Sequence, residues 1–112
     1  MSTTLNRVLL LGHLHRRGVA VRYGNGGTPC ASFTIDLVAV SSHGQSFTTY
    51  INCEAWGKKA EAAGTIAPGS LVLFEGKLKR QKQGEQRWET VVSGFELMPV
   101  TVTAATEERA YR

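Results

Sequence analysis

Two cysteines in 112 residues are too few for a disulfide-stapled secreted scaffold. Apolar runs are short, four residues at Val8–Leu11, so neither a membrane span nor a signal-peptide core is expected, although Arg7 precedes that run. Acidic residues are few, nine against 13 Lys+Arg, and scattered. They offer no carboxylate pair for general acid–base work. The metal-ligand spacings Cys-x-x-Cys and His-Glu-x-x-His are missing. His13-x-His15 puts two imidazoles on one strand face, but Cys30, Cys53 and His43 stand elsewhere, so no metal site and no cofactor are expected. No Gly-Lys-Ser/Thr follows Asn25-Gly26-Gly27, which reads as a hairpin turn and not a phosphate loop. No nucleophile elbow surrounds any serine. An enzyme has no positive support in this chain, and none is expected.

What is present describes a small β protein. The length gives one domain, with roughly two-thirds of the unfolded surface available to bury. Hydrophobic residues make up 42% and charged residues 20%, with a net charge of +4. That charge is compatible with a polyanion partner without demonstrating one. Five apolar runs separated by turn-formers predict strands: Val8 to Leu11, Ala31 to Val40, Tyr50 to Trp56, Leu71 to Leu78, and Trp88 to Leu97. Phe33, Ile35 and Leu37 alternate with Ser32, Thr34 and Asp36; Val72, Phe74, Gly76 and Leu78 alternate with Glu75, Lys77 and Lys79. Period two marks half-buried strands. Gly12 and Gly76 interrupt strands, as at a barrel corner. Lys58 to Ala63 is built of good helix formers and ends at Gly64, which predicts one short helix between the third and fourth strands. Cys30 and Cys53 read as small core residues. The domain is expected over 1–100, and residues 101–112, polar and small, read as a loose tail.

The third predicted strand carries the chemistry. Ile51, Cys53 and Ala55 are small and apolar and face the core. Tyr50, Asn52, Glu54 and Trp56 then face solvent, with the two aromatics roughly 20 Å apart. Large aromatics on a wet face suit base stacking, which is sequence-tolerant because every base has a π-face. The hairpin Lys77 to Arg87 holds Lys77, Lys79, Arg80, Lys82 and Arg87 against the single acid Glu85. Trp88 stands at its base. Basic strands interleaved with aromatics are the combination of single-strand nucleic-acid binders. Arg7, Arg22, Lys58 and Lys59 are expected to extend the same basic path.

Leu5-Asn6-Arg7-Val8-Leu9-Leu10-Leu11-Gly12-His13-Leu14 resembles the opening of the bacterial single-stranded DNA-binding protein family. The resemblance continues through Val21-Arg22-Tyr23 with Gly26-Gly27, Phe33-Thr34-Ile35, and Tyr50 to Lys58. It is most specific at Gly69-Ser70-Leu71-Val72-Leu73-Phe74-Glu75-Gly76-Lys77-Leu78. It covers about Leu5 to Leu97 in order. It implies an all-β, five-stranded OB-fold (Greek-key barrel) and sequence-independent binding of single-stranded DNA in replication, recombination or repair, RNA being compatible with the same contacts. It also implies a homotetramer, or a homodimer as in the primosomal replication relative. A replication-restart protein acting mainly through protein partners is the alternative reading. Two family aromatics are replaced here, one near Ser41 and one within Gln81-Lys82-Gln83, which shifts weight from stacking toward electrostatics. The family's Gly/Pro/Gln-rich linker and acidic tip are not found in these residues, so recruitment of repair enzymes through such a tip is not expected. A cytoplasmic, nucleoid-associated location is expected, an organellar one being compatible. The apolar residues Leu9 and Leu11, opposite Val8, Leu10 and Leu14, leave strand one with two faces to cover and predict a subunit contact.

Overall fold

The alternation of Phe33, Ile35 and Leu37 is realised as one face of a long strand closing a barrel. The computed structural model describes residues 3–24, 26–82 and 88–100. Arg87 and the expected tail 101–112 lie outside the described residues, as do the side chains of Lys82 and Trp88. The elements are β1 (Val8–Leu14), β2 (Ala20–Tyr23), β3 (Pro29–Val40), β4 (Ser46–Trp56), α1 (Lys58–Ala63), β5 (Leu71–Lys82) and β6 (Trp88–Pro99). The helix has the bounds its composition predicts.

The sheet runs β1-β5-β6-β4-β3 and closes through His13↔Asp36 and Leu14↔Ile35, which return β3 to β1. Neighbouring strands are antiparallel except β4 and β6, which pair in parallel through Cys53↔Val92, Glu54↔Ser93 and Ala55↔Gly94. This is a five-stranded Greek-key barrel with its helix between the third and fourth of those strands, the OB architecture. The sixth strand, β2, is an addition to the five predicted ones. It occupies the edge of β3 from Pro29 to Ser32, just beyond the stretch that β1 takes. Gly12 sits where β1 crosses to β3: a Cβ there would stand 2.6 Å from the Asp36 carbonyl oxygen. Gly76 marks the register shift between β5 and β6.

Leu14, Ala31, Phe33, Ile35, Cys53, Ala55, Val72 and Phe74 fill the barrel. Ala60 and Ala63 of α1 join them, so the helix plugs one end. Gly57, at φ 75°, turns the chain from β4 into α1 in a conformation that favours glycine. On the outside, Leu9 and Leu11 stay exposed at 63% and 58%. Leu11 aligns with Leu73, and Leu73 with Met98, itself exposed, so the apolar strip crosses three strands. The helix does not cover it, since Leu9, Leu11 and Met98 all remain exposed with α1 in place. Among the described residues no helix is long and apolar enough to cross a membrane.

Candidate nucleic-acid interface

Pairing of β3 with β4 builds a ladder on the barrel's outer face. Its rungs are Cys30↔Trp56, Ser32↔Glu54, Thr34↔Asn52 and Asp36↔Tyr50. Tyr50 and Trp56 are 60% and 47% exposed, on the same side of one strand, as the alternation requires. They bracket a polar stretch in which the Thr34 hydroxyl donates to Asn52 Oδ1 at 3.0 Å. Tyr50 is held edge-to-face against the His15 ring, with centroids 5.7 Å apart. The Asp36 carboxylate lies 2.9 and 3.1 Å from His15 Nδ1, so an acid, an imidazole and a phenol form one chain at this end.

Glu54 departs from its sequence reading. Alternation puts it on the wet side with Tyr50 and Asn52, yet it is 5% exposed. Lys79 of β5 reaches across and donates from Nζ to Glu54 Oε1 at 2.9 Å. Burial pushes the Glu54 carboxyl up, but hydrogen bonds from the Lys79, Trp56 and Ser93 side chains, together with the Lys79 charge, outweigh it and leave the carboxyl below its usual value of 4.5. A depressed folded-state pKa adds stability that is present above the unfolded value and lost as pH falls through the folded one. The melting temperature of the wild type is therefore expected to fall as pH drops below about 4.5. Glu54→Gln should flatten that part of the profile and cost about 1–3 kcal/mol at neutral pH. Equal profiles for the two proteins would show the pair to be inert.

The two thiols also separate. Cys53 is a core residue, and burial pushes its thiol up to about 12. Cys30 is just as buried, as its reading as a core residue expects, but it pairs with Trp56 at the end of the ladder and stands apart from the main packed cluster. Burial and the Glu54 charge push its thiol up, while Arg22 hydrogen-bonds to it and acts the other way. Arg22, Cys30 and Trp56 thus form one row across β2, β3 and β4.

The structure scatters the predicted cations more than a single path implies. Arg22 flanks Trp56 through that row, and Lys58 and Lys59 open the helix just after Trp56, both exposed. Lys77 shares a row with Ser93 and Glu54. Lys79 is tied to Glu54 and Arg7 to Glu75, at 2.9 and 2.6 Å, so both cations are partly neutralised within the protein. Arg80 lies on β5 with its side chain exposed, and Lys82 pairs with Trp88 at the start of β6. The sequence reading missed His15, Arg16 and Arg17, which line a cavity of about 330 Å³ with Thr34, Tyr50 and Asn52. Their signal was the Arg-Arg-Gly run directly after the first strand, a cation pair at a turn.

The model of the single-strand binding protein family matches residues 5–103. A single-stranded DNA-binding protein of Lactiplantibacillus plantarum is 33% identical over 103 residues, spanning 84% of this chain and 51% of that one. Single-stranded DNA-binding protein 1 of Streptococcus pyogenes serotype M18 is 29% identical over 103 residues, spanning 84% and 78% of the two chains. Among solved structures, a deletion mutant of the single-stranded DNA binding protein from Thermus aquaticus matches with a TM-score of 0.69 at 28% identity, covering 87% of this chain and 51% of that chain. The chain spans about half the length of the Lactiplantibacillus and Thermus proteins.

Proposed function

Since the chain belongs to the single-strand binding protein family, we propose that residues 1–100 form a domain that binds single-stranded DNA without sequence preference and without catalysis. One observation carries this reading: Tyr50 and Trp56 stand exposed on one face of one strand, six positions apart, with cations beside them. Bases stack on the two rings, and the phosphates meet Arg22, Lys58, Lys59, Lys77 and Arg80; the sequence adds Lys82, Arg87 and Trp88 to the proposed contacts. Lys79 and Arg7 contribute less, because Glu54 and Glu75 already engage them. Protection of exposed strands during replication, recombination or repair, in the cytoplasm at the nucleoid, is the role such a surface suits.

The test is the salt dependence of oligothymidylate binding, followed by anisotropy of a labelled strand. Log affinity should fall linearly with log salt, by about 0.7 per phosphate neutralised. Lys58→Ala with Lys77→Ala should make the slope shallower by about 1.4 while leaving the melting temperature unchanged. An unaltered slope would place the strand on another face.

Assembly belongs to the same reading. The strip Leu9, Leu11, Leu73 and Met98 is apolar, half-buried at Leu73 and exposed at the other three, which suits a contact between copies of this chain. A homotetramer is expected before a homodimer. Sedimentation at micromolar protein should give a multiple of 12.2 kDa, and Leu9→Glu with Leu11→Glu should reduce it to the monomer. A monomeric wild type would contradict the contact.

A further inference from the structure

Glu54 is the one polar or charged side chain that is buried among the described residues, and stacking does not call for it. Burying a charge is costly, and an apolar pair of similar volume is often as stable as a buried ion pair or more so. The residue also stands on the ladder face of β4, between Asn52 and Trp56, where a bare carboxylate would repel phosphate. Three donors hold it. Glu54 aligns with Ser93 of β6, and Lys79 of β5 aligns with Val91, so Lys79 crosses β6 to donate from Nζ to Glu54 Oε1 at 2.9 Å. The Ser93 hydroxyl and the Trp56 indole N–H donate to the same carboxylate.

The two lysine and arginine ion pairs near the strand-binding face differ in kind. Arg7 meets Glu75 with side chains 63% and 35% exposed, so water or a phosphate can replace either partner. Lys79 is 45% exposed, but Glu54 shows only 7% of its side chain. If Lys79 turned to a phosphate, the carboxylate would be left charged and unsolvated. Breaking a buried pair in this way is disfavoured by at least about 100-fold, while one phosphate contact returns about 5-fold at 0.1 M salt. The magnitudes keep Lys79 on Glu54. We infer that Glu54 is a positioning residue of the β4 face, a resident anion that takes the place of a phosphate on Lys79, excludes that lysine from the bound strand and fixes the Trp56 indole through the same carboxylate. The inference rests on the single-strand reading and deepens it. The face is electrically neutral at the bridge, and contact with the strand there is left to the Trp56 ring. Lys77, in the row of Ser93 and Glu54, is exposed and keeps its charge for the strand.

The test is the salt slope of oligothymidylate binding, read from the anisotropy of a labelled strand. It compares the wild type, Glu54→Gln and Glu54→Gln/Lys79→Met at a temperature where melting curves show each protein folded. Glu54→Gln still accepts the indole N–H but releases the ammonium. It should bind about 5-fold more tightly at 0.1 M salt, with a slope steeper by about 0.7, although it melts below the wild type. A merely structural carboxylate would lower the stability and leave the slope as it is. Glu54→Gln/Lys79→Met has no charge at the bridge, so it folds without a buried ion to satisfy. It should show the slope of the wild type, because the lysine it lacks made no phosphate contact there. An unchanged slope in Glu54→Gln would overturn the inference. A double variant with a slope shallower than that of the wild type by about 0.7 would also overturn it, by placing Lys79 on the strand from the start. Where Trp56→Ala still weakens binding, the single-strand reading survives either result. A wild type that binds no oligothymidylate would remove that reading itself.

Discussion

Phe74→Ala is expected to lower the stability of the folded chain by about 3–5 kcal/mol. Domains of this size are stable by only about 5–15 kcal/mol, so the variant should melt far below the wild type. The size of the effect comes from the position of the ring. Phe74 is 0% exposed and meets Phe33 at a centroid distance of 5.0 Å and an interplanar angle of 80°. The ring also lies against a residue without a side chain: a Cβ placed on Gly94 would fall on the Phe74 ring. The parallel pairing of β6 with β4 through Ala55↔Gly94 therefore fits only because β6 carries glycine beneath that ring. Gly94→Ala should cost about 1–3 kcal/mol in the wild type, since the added methyl must move the ring within a packed core. In the Phe74→Ala background the methyl enters the vacated space, and the cost should shrink or change sign. Unfolding followed at one fixed protein concentration measures the cycle, because self-association adds to apparent stability. Equal costs of Gly94→Ala in both backgrounds would contradict the packing.

Trp56→Ala is expected to weaken single-strand binding by about 1–3 kcal/mol, or about 5- to 150-fold, with little change in melting temperature. The ring is 47% exposed, so its removal leaves no large cavity. Trp56→Phe separates two roles of the residue. It keeps a π-face for the base but loses the hydrogen bond to Glu54, so it should retain most of the affinity and alter the acid limb of the stability profile. Tyr50→Ala should fall at the low end of the same range, because the ring is smaller and its loss also frees His15. A Trp56→Ala protein that folds normally and binds as the wild type does would remove the β4 platform from the account.

The elements most readable in the sequence are those fixed by local chemistry. Lys58 to Ala63 forms a helix because Ala, Lys and Glu favour one and glycines stand at both ends. The core face of β3 follows from Phe33, Ile35 and Leu37 repeating at period two. β2 could not be read in this way, since Ala-Val-Arg-Tyr is too short to show a period, and its extended form comes from pairing with Pro29–Ser32. The first half of β4 is Ser-Phe-Thr-Thr, extended because it pairs with Leu37–Val40 of β3. In the site, Tyr50 and Trp56 were legible because alternation puts them on the wet face. The burial of Glu54 was not, because it is imposed by Lys79, 25 residues along the chain. Nor was the cluster of His15, Asp36 and Tyr50, which exists only because the barrel closes β1 onto β3.

The chain has two tryptophans, Trp56 and Trp88. A Trp88→Phe protein therefore reports from Trp56 alone, and titrating its fluorescence with an oligothymidylate at low salt tests directly whether bases stack on the β4 face. Strong, saturable quenching that reverses as salt is added is the expected result. Emission that stays unchanged at micromolar protein and excess strand would contradict it.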